Sequence, residues 1–498
     1  MALKGNLLAN YLGQGWTALM GLAFIPLYIR YLGVEAYGVI GLFIVLQAWL
    51  VILDMGLMPM LSREMGRFTG GVRTAESVRD LLRSVELVML PVAFLIVLLV
   101  VSISNWLANS WLKVEDLPIA TVIQALCLMG AVAALQFIQN IYRSSLVGLQ
   151  RQIPLNLIVA IAATLRALGA IAVLAWVSPT LEVFFVWQLI ISIILLAVLA
   201  VLTYAYLPKV DHRAKFSLSI LKDVGRYAGG MMIIAVLSLL LTQADKILLS
   251  KFLNLSEYGY YVLAVAVSGG VLSMLLVPIV QAWFPRLSQL HAEGESAEFV
   301  KAYHLGAQLV SVVVGSATII LIVYAELILR LWTQDAELVQ NTSRLVRLLA
   351  FGNLLNALMT MPYQAQLATG WTSFGIFVNS ISVALIVPAI LWVVPRYGAE
   401  GAALIWVTLN AGYILLGVHF MYRRILIAEK WRWYKADLIS PLLSGSLAAY
   451  LIVLVMPAPE TTIGAMAQLL ASSMVVFIFA VIGAKNIRIA LRLALHSR

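Results

Sequence analysis

About fourteen stretches of roughly twenty predominantly apolar residues follow one another along the chain, with centres near Leu19, Val45, Val92, Met129, Leu165, Ile194, Leu237, Leu272, Val313, Leu355, Ile381, Ala411, Leu451 and Val475. Such runs restrict the chain to a bilayer. Hydrocarbon offers no partner for a backbone N–H or C=O, so a segment that crosses it must satisfy its own hydrogen bonds, which a single run of this length does as a helix. Composition agrees, because 62% hydrophobic against 11% charged residues over 498 positions is more apolar surface than a water-soluble core of this size can hide. The expected fold class is an all-α membrane protein with about fourteen transmembrane helices.

In a soluble chain the formal charge of +10 would suggest nucleic acid, but here Lys and Arg sort by loop. Alternate loops starting from Lys4 collect 24 of the 33, whereas the opposite side has only Arg30, Lys113, Lys251, Arg330, Arg344 and Arg396. Arg166, Lys246 and Arg347 lie within apolar runs. The asymmetry predicts cytoplasmic N- and C-termini and makes a nucleic-acid partner unnecessary. The first apolar stretch has no small-x-small cleavage pattern before Arg30 and is expected to stay as an anchor. Cys127, the single cysteine, sits in an apolar run, so neither a disulfide framework nor a Cys-ligated metal site is expected. Loops no longer than about twenty residues leave no room for an extracytoplasmic catalytic domain. The Gly-Lys dipeptide of a phosphate-cradling loop does not occur. A non-enzymatic protein without cofactor, driven by an ion gradient, the membrane potential or its substrate's own gradient, is the expectation.

The phrase RYLGVEAYG at Arg30–Gly38 is echoed by KFLNLSEYG at Lys251–Gly259, each copy following the first helix of a group of six. Leu32, Tyr37 and Gly38 are identical to their counterparts. Two copies in the same orientation predict two six-helix lobes related by a pseudo-two-fold axis along the membrane normal. The expected organisation is a lobe at 1–207, a basic linker at 208–226, a lobe at 227–425, and two further helices with a tail at 426–498.

Polar residues inside the spans show which faces avoid lipid. Asn6, Asn10, Gln14 and Thr17 form a stripe on helix one, and Gln47 and Asp54 share a face of helix two. Gln136, Gln139, Asn140 and Arg143 recur at helical spacing on helix four, as do Ser238, Thr242 and Asp245 on helix seven and Asn353, Asn356, Thr360 and Tyr363 on helix ten. These stripes suggest either a shared polar cavity or hydrogen bonding between helices. Arg166 is the sharpest single residue: near the bilayer midplane a charge costs at least about 2.5 kcal/mol. It is a candidate contact for an anionic group, above all phosphate, or else an ion-pair partner of Asp54 or Asp245. Lys246 and Arg347 are weaker candidates of the same kind, while Asp54 and Asp245 are candidates for a coupling cation or for neutralising nearby bases. Pro26, Pro59, Pro278, Pro362 and Pro388 mark kinks or span ends, and Trp106, Trp111, Trp332 and Trp392 read as interfacial anchors.

Several phrases together resemble a known family. They are PLYIRYLGVEAYG at Pro26–Gly38, LDMGL at Leu53–Leu57 followed by Arg63, GLQRQIPLN at Gly148–Asn156, QADKILLSKFLNLSEYG at Gln243–Gly259, PYQAQLATG at Pro362–Gly370 and RYGAEGAA at Arg396–Ala403. In order and spacing they resemble bacterial polysaccharide transporters of the Wzx type, within the multidrug/oligosaccharidyl-lipid/polysaccharide exporter superfamily. The resemblance implies a flippase that moves undecaprenyl-pyrophosphate-linked oligosaccharide from the cytoplasmic to the periplasmic leaflet of the inner membrane by alternating access. The lobes would rock about a cationic cavity lined by helices one, two, seven and eight. Arg166, Lys246 and Arg347, with Asn10, Gln14 and Gln47, are then the expected substrate contacts. Asp54 and Asp245 are the expected sites for H+ or Na+ coupling. Membrane lipids and, as partners, a polysaccharide polymerase and chain-length proteins are also implied. A lipid II flippase or a multidrug/cation antiporter of the same superfamily is the alternative, although helix one lacks arginine between Lys4 and Arg30. An envelope polysaccharide polymerase is a more distant alternative.

Overall fold

A computed structural model describes residues 2–53, 57–208, 216 and 236–496. Among them the regular structure is helical, and the one β contact is an isolated bridge between Lys113 and Asn254. The chain divides into two compact units, Met1–Gly259 and Tyr260–Arg498.

Unit 1 starts with α1 (Ala2–Ala23) and α2 (Ile25–Leu32), separated where Pro26 begins a new helix with the N–H it lacks at an end that needs none. Then come α3 (Val34–Leu53), α4 (Leu57–Thr69) and α5 (Ala75–Trp106) with a π-helical turn at Leu107–Trp111. They are followed by α6 (Ile119–Gly148), α7 (Gln152–Trp176), α8 (Leu181–Tyr206), α9 (236–252) and the start of α10 (Leu255–Ala292). Thr74 and Thr180 cap α5 and α8 with side-chain oxygens, as expected for helices whose first N–H groups have no partner of their own.

Unit 2 continues α10 and adds α11 (Ser296–Val323), α12 (Ala325–Thr333), α13 (Ala336–Leu358), α14 (Thr360–Ala368) and α15 (Thr372–Gly412). A π-helical turn at Tyr413–Gly417 leads into α16 (Val418–Met421) and α17 (Lys430–Arg432), and a second one at Trp433–Ile439 leads into α18 (Ser440–Val455), α19 (Thr462–Gly483) and α20 (Lys485–His496). α11 is the core of this unit, buried over most of its length and packed by α13, α18 and α19. Pro362 falls in the first turn of α14 and Pro59 in that of α4, so these two prolines begin helices, whereas Pro278 and Pro388 lie inside α10 and α15.

Eleven of the described helical stretches are long and apolar enough to cross a membrane, which makes this a multipass membrane protein. The difference from fourteen has three locations. Val34–Leu50 is a shorter apolar helix; Thr372–Met421 holds two expected spans in one run, interrupted at Gly398 by φ 56° and ψ −145°; and the span centred near Leu237 runs back into residues outside those described.

The echoed phrases meet in unit 1, and they meet reciprocally. A Cβ on Gly38 would stand 2.4 Å from the Leu255 carbonyl oxygen, and one on Gly259 would stand 2.4 Å from that of Val34, the counterpart of Leu255. Each glycine thus admits the backbone of the other copy at a distance no side chain allows, the self-complementary pattern of a two-fold contact. The segment after α5 straps both copies. Buried Glu35 accepts the N–H groups of Glu115, Asp116 and Leu117 at 2.7, 2.9 and 3.0 Å. Lys113 donates to the Phe252 carbonyl at 2.6 Å, its own carbonyl accepts from Leu255 N at 3.1 Å, and Glu115 accepts from Asn254 Nδ2 at 3.3 Å. Trp111 donates to Ser250 Oγ at 3.1 Å while Lys251 lies 4.8 Å above its ring, so this tryptophan is part of the clasp.

α4 occupies a stretch the sequence suggests only as a basic loop. Met58, Leu61, Glu64 and Met65 form its buried face, and Arg67 and Arg73 reach Glu64 at 3.2 and 2.8 Å. Burial opposes the charge of Glu64, but the hydrogen bonds from the two arginines outweigh it and hold its carboxyl below the ordinary value.

Two outcomes follow. Gly38→Ala or Gly259→Ala should lower stability by about 1 to 3 kcal/mol in denaturation of the purified protein, whereas Gly15→Ala, with open space around it, should be neutral or mildly stabilising. Glu64 contributes stability above about pH 4.3, where the unfolded side chain titrates, and that contribution is lost as pH falls through its lower folded value. Glu64→Gln should therefore have a lower thermal midpoint than wild type at neutral pH, with the gap closing in acid.

Candidate functional site

Unit 1 holds a half-open cavity of about 450 Å3 between α1, α2, α3, α6, α7 and α8. That lies within the ordinary range for a ligand pocket. Its walls are apolar where Met20, Phe43, Phe137 and Phe184 pack, and polar where Gln47, Gln136, Gln139, Asn140, Gln188 and two arginines, Arg143 and Arg166, face inward. The i, i+3, i+4, i+7 stripe of α6 is the main polar wall. Helical spacing put Gln136, Gln139, Asn140 and Arg143 on one face, and packing of α6 against α5 and α8 turned that face to the cavity.

The hydrogen bonds hold the polar wall while leaving donors over. Gln47 donates to Gln136, linking α3 to α6. Gln139 Nε2 donates to the Ser192 carbonyl at 2.9 Å, and Arg166 Nη2 to Ser192 Oγ at 3.0 Å, so α8 steadies both. The Nε groups of Arg143 and Arg166 are buried with no partner among the described residues. Among the described residues neither guanidinium has an acidic partner, and Arg166 feels the like charge of Arg143.

Among the described residues the buried acids of unit 1 are committed elsewhere. Glu35 serves the clasp, Glu64 serves Arg67 and Arg73, and Glu86 accepts from Tyr142 at 3.0 Å, Tyr204 at 2.8 Å and Arg83 at 3.2 Å. Among the described residues these two guanidiniums therefore have no counter-ion, and their planar forks suit the oxygens of a phosphate or carboxylate.

The other expected site residues are placed elsewhere. Asn10 donates to Gln152 at 2.7 Å and accepts from Asn156, tying α1 to α7, while Gln14 is exposed. Lys246 lies 3.6 Å from Asp245 on its own helix and also donates to the Thr242 carbonyl. Arg347 forms a partly exposed pair with Glu326 at 2.8 Å. Asp54 lies outside the described residues. The helix-ten stripe joins helices too, since Asn353 accepts from Trp406 and Asn356 donates to Asn410, both at 2.9 Å. Of the expected contacts the pocket brings together Arg166 and Gln47, and it adds Arg143, Gln139 and Gln188. Arg143 lies near the end of its apolar run, where charge sorting groups it with the basic loops; its place on the stripe is the signal for the pocket.

Two half-buried arginines line a polar pocket within a multipass helical bundle. Residues 3–291 match the family described as "Polysaccharide biosynthesis protein", more than half of the chain, and the chain belongs to that family. A Shigella flexneri protein named "Putative O-antigen transporter" is 23% identical over 418 residues, covering 82% of this chain and 94% of that one. Among solved structures, the lipid II flippase MurJ in an inward closed conformation superposes with a TM-score of 0.71 at 14% identity, covering 96% of this chain and 98% of its own. An inward-facing multidrug resistance transporter of the MATE family gives 0.66 at 16% identity, with 83% and 96% covered. The fold is that of these transporters.

The pocket's unmatched charge makes two measurements informative. Inorganic pyrophosphate should raise the thermal midpoint of the purified protein, and Arg143→Gln or Arg166→Gln should reduce that shift, the double variant abolishing it. Without added anion, Arg166→Met should be more stable than wild type, by about 1 to 3 kcal/mol, because an unpaired buried charge is removed.

Proposed function

We propose that this protein is a flippase that moves undecaprenyl-pyrophosphate-linked oligosaccharide repeat units from the cytoplasmic to the periplasmic leaflet of the bacterial inner membrane. The observation that carries the reading is the pair Arg143 and Arg166, two cations without an acidic partner among the described residues, in a chain of the polysaccharide biosynthesis family. The O-antigen transporter relative and the flippase and exporter folds support it. A diphosphate offers about two negative charges at neutral pH, matching the two guanidiniums. The cavity is too small for a whole lipid-linked glycan, so it would take the charged head while sugars and prenyl chain extend beyond it.

Movement would follow alternating access, with 1–207 and 227–425 as the two lobes, 208–226 as their linker and 426–498 as an appended pair of helices. The clasp of Gly38 and Gly259 would close the extracytoplasmic end, and the basic loops would place both termini in the cytoplasm. No bond is made or broken in this cycle. The work consists of desolvating a diphosphate on one face and releasing it on the other, which two arginines in a polar pocket can do without catalytic chemistry. An ion gradient, by H+ or Na+, would drive it, and a polymerase with its chain-length proteins would receive the product.

Complementation in a strain lacking its own O-unit flippase provides the test. Wild type should restore surface polysaccharide; Arg166→Ala and Arg143→Ala should each lower it at least about tenfold, and Arg166→Lys should fall between, because it keeps the charge but not the fork. Full polysaccharide from the double alanine variant, at normal membrane abundance, would overturn the reading.

A further inference from the structure

The most buried ionisable cluster outside the pocket is in unit 2, where α11 meets the π-helical turn at Trp433–Ile439. His304 and Asp437 are fully buried. The imidazole Nδ1 meets Asp437 Oδ2, and Nε2 meets Glu429 Oε2 at 2.9 Å. A neutral imidazole carries one N–H, so both contacts are hydrogen bonds only if the three side chains share one more proton than two carboxylates and a neutral ring would hold.

Neighbouring groups locate that proton. The backbone N–H of Asn486, at the start of α20, donates to Gln308 Oε1 at 2.8 Å, which turns the amide nitrogen of Gln308 toward Asp437 Oδ1 at 2.9 Å. Oδ1 is therefore an acceptor and carries no hydrogen. Arg432 donates to the same Glu429 oxygen that faces the ring, at 3.3 Å, so Glu429 is an acceptor as well and His304 Nε2 is its donor. The remaining proton lies on the line between Nδ1 and Asp437 Oδ2. Without it two lone pairs would face each other in a site closed to water.

We infer that His304, Asp437 and Glu429 form a proton-binding site, separate from the arginine pocket, whose proton fastens the turn at Trp433–Ile439 to α11. Glu429, whose side chain is 25% exposed, is the outlet through which the proton exchanges with the aqueous face that bears Lys430 and Arg432. Through Gln308 the same proton sets the seat of α20.

Other charges around the cluster are few. On α11 itself Tyr303 shares a 2.7 Å hydrogen bond with Tyr422 and Glu298 pairs with Lys301, while the turn carries Lys435 and Tyr434, which donates to the Ile414 carbonyl. α18 and α19 contribute no Asp, Glu, Lys, Arg or His, and α14 only Tyr363. α12 and α13 carry Glu326, Arg330, Glu337, Arg344 and Arg347. Of these, Glu326 pairs with Arg347, Arg344 with Glu400, and Glu337 accepts from Tyr260. α20 brings Lys485, Arg488 and Arg492, and Lys430 is bound to His419.

The test uses the full chain in lipid nanodiscs and reads no transport, so it stands or falls apart from the flippase reading. With 15N-labelled histidine, five in the chain, and infrared spectroscopy, wild type at neutral pH should show one of two signatures. Either a ring with both nitrogens protonated vanishes in His304→Gln, or a carboxylic-acid band vanishes in Asp437→Asn. A His304 ring with one protonated nitrogen and no such band overturns the site. In Asp437→Asn the amide can donate to Nδ1 and still accept from Gln308, so the contact survives without the proton. The wild-type thermal midpoint should fall as pH rises through the point at which that spectroscopic signature is lost, because the folded state then gives up the proton that fastens the turn, whereas the Asn variant should show no such step there. Equal slopes in the two proteins overturn the latch.

Discussion

Hydrocarbon supplies no hydrogen-bond partner, and that one constraint orders nearly every polar contact in this molecule. Asn10 finds Gln152, Asn356 finds Asn410, Asn353 finds Trp406, and buried Glu86 gathers two tyrosines and an arginine. Where the rule is broken the break carries meaning. Among the described residues the Nε groups of Arg143 and Arg166 have no partner, and the buried acids of their unit are otherwise engaged. In the proposed cycle the diphosphate head would complete the two arginines.

The clasp shows how a repeat becomes a mechanical feature. Gly38 and Gly259 are counterparts in the two echoed phrases, and each is a glycine because the other copy's backbone crosses where a Cβ would be. The Glu35 carboxylate then accepts backbone N–H groups of the strap after α5, and the strap's Lys113 ammonium donates to the Phe252 carbonyl, so one side chain ties the strap to each copy. A junction built this way is rigid while closed and is lost as a whole if the backbones separate.

Much of this was legible in the residues, and the limits have physical causes. Apolar runs and their helical period are local properties, so the spans and the stripe on α6 could be read directly. The echo also pointed to a real contact. Partnership is not local. Arg166 and Arg347 look alike in the sequence, each a cation within an apolar run, yet Arg347 pairs with Glu326 and Arg166 meets a serine. Lys246 has its acid one residue away, and Asn10 turned out to join helices. Arg143 was masked by its position near a span end, and the His304 cluster is assembled from residues more than a hundred positions apart.

The sequence by itself determined the solvent, the helical backbone, the repeat and the faces on which polar residues gather, because each depends on composition or on a period of a few residues. Only the tertiary structure decided which of those polar groups are matched and which are left over. That outcome depends on how each helix is rotated and on which distant segment packs against it. The rotation that lines up the α6 stripe with Arg166 made the pocket, and the one that buries His304 against Asp437 made the second site.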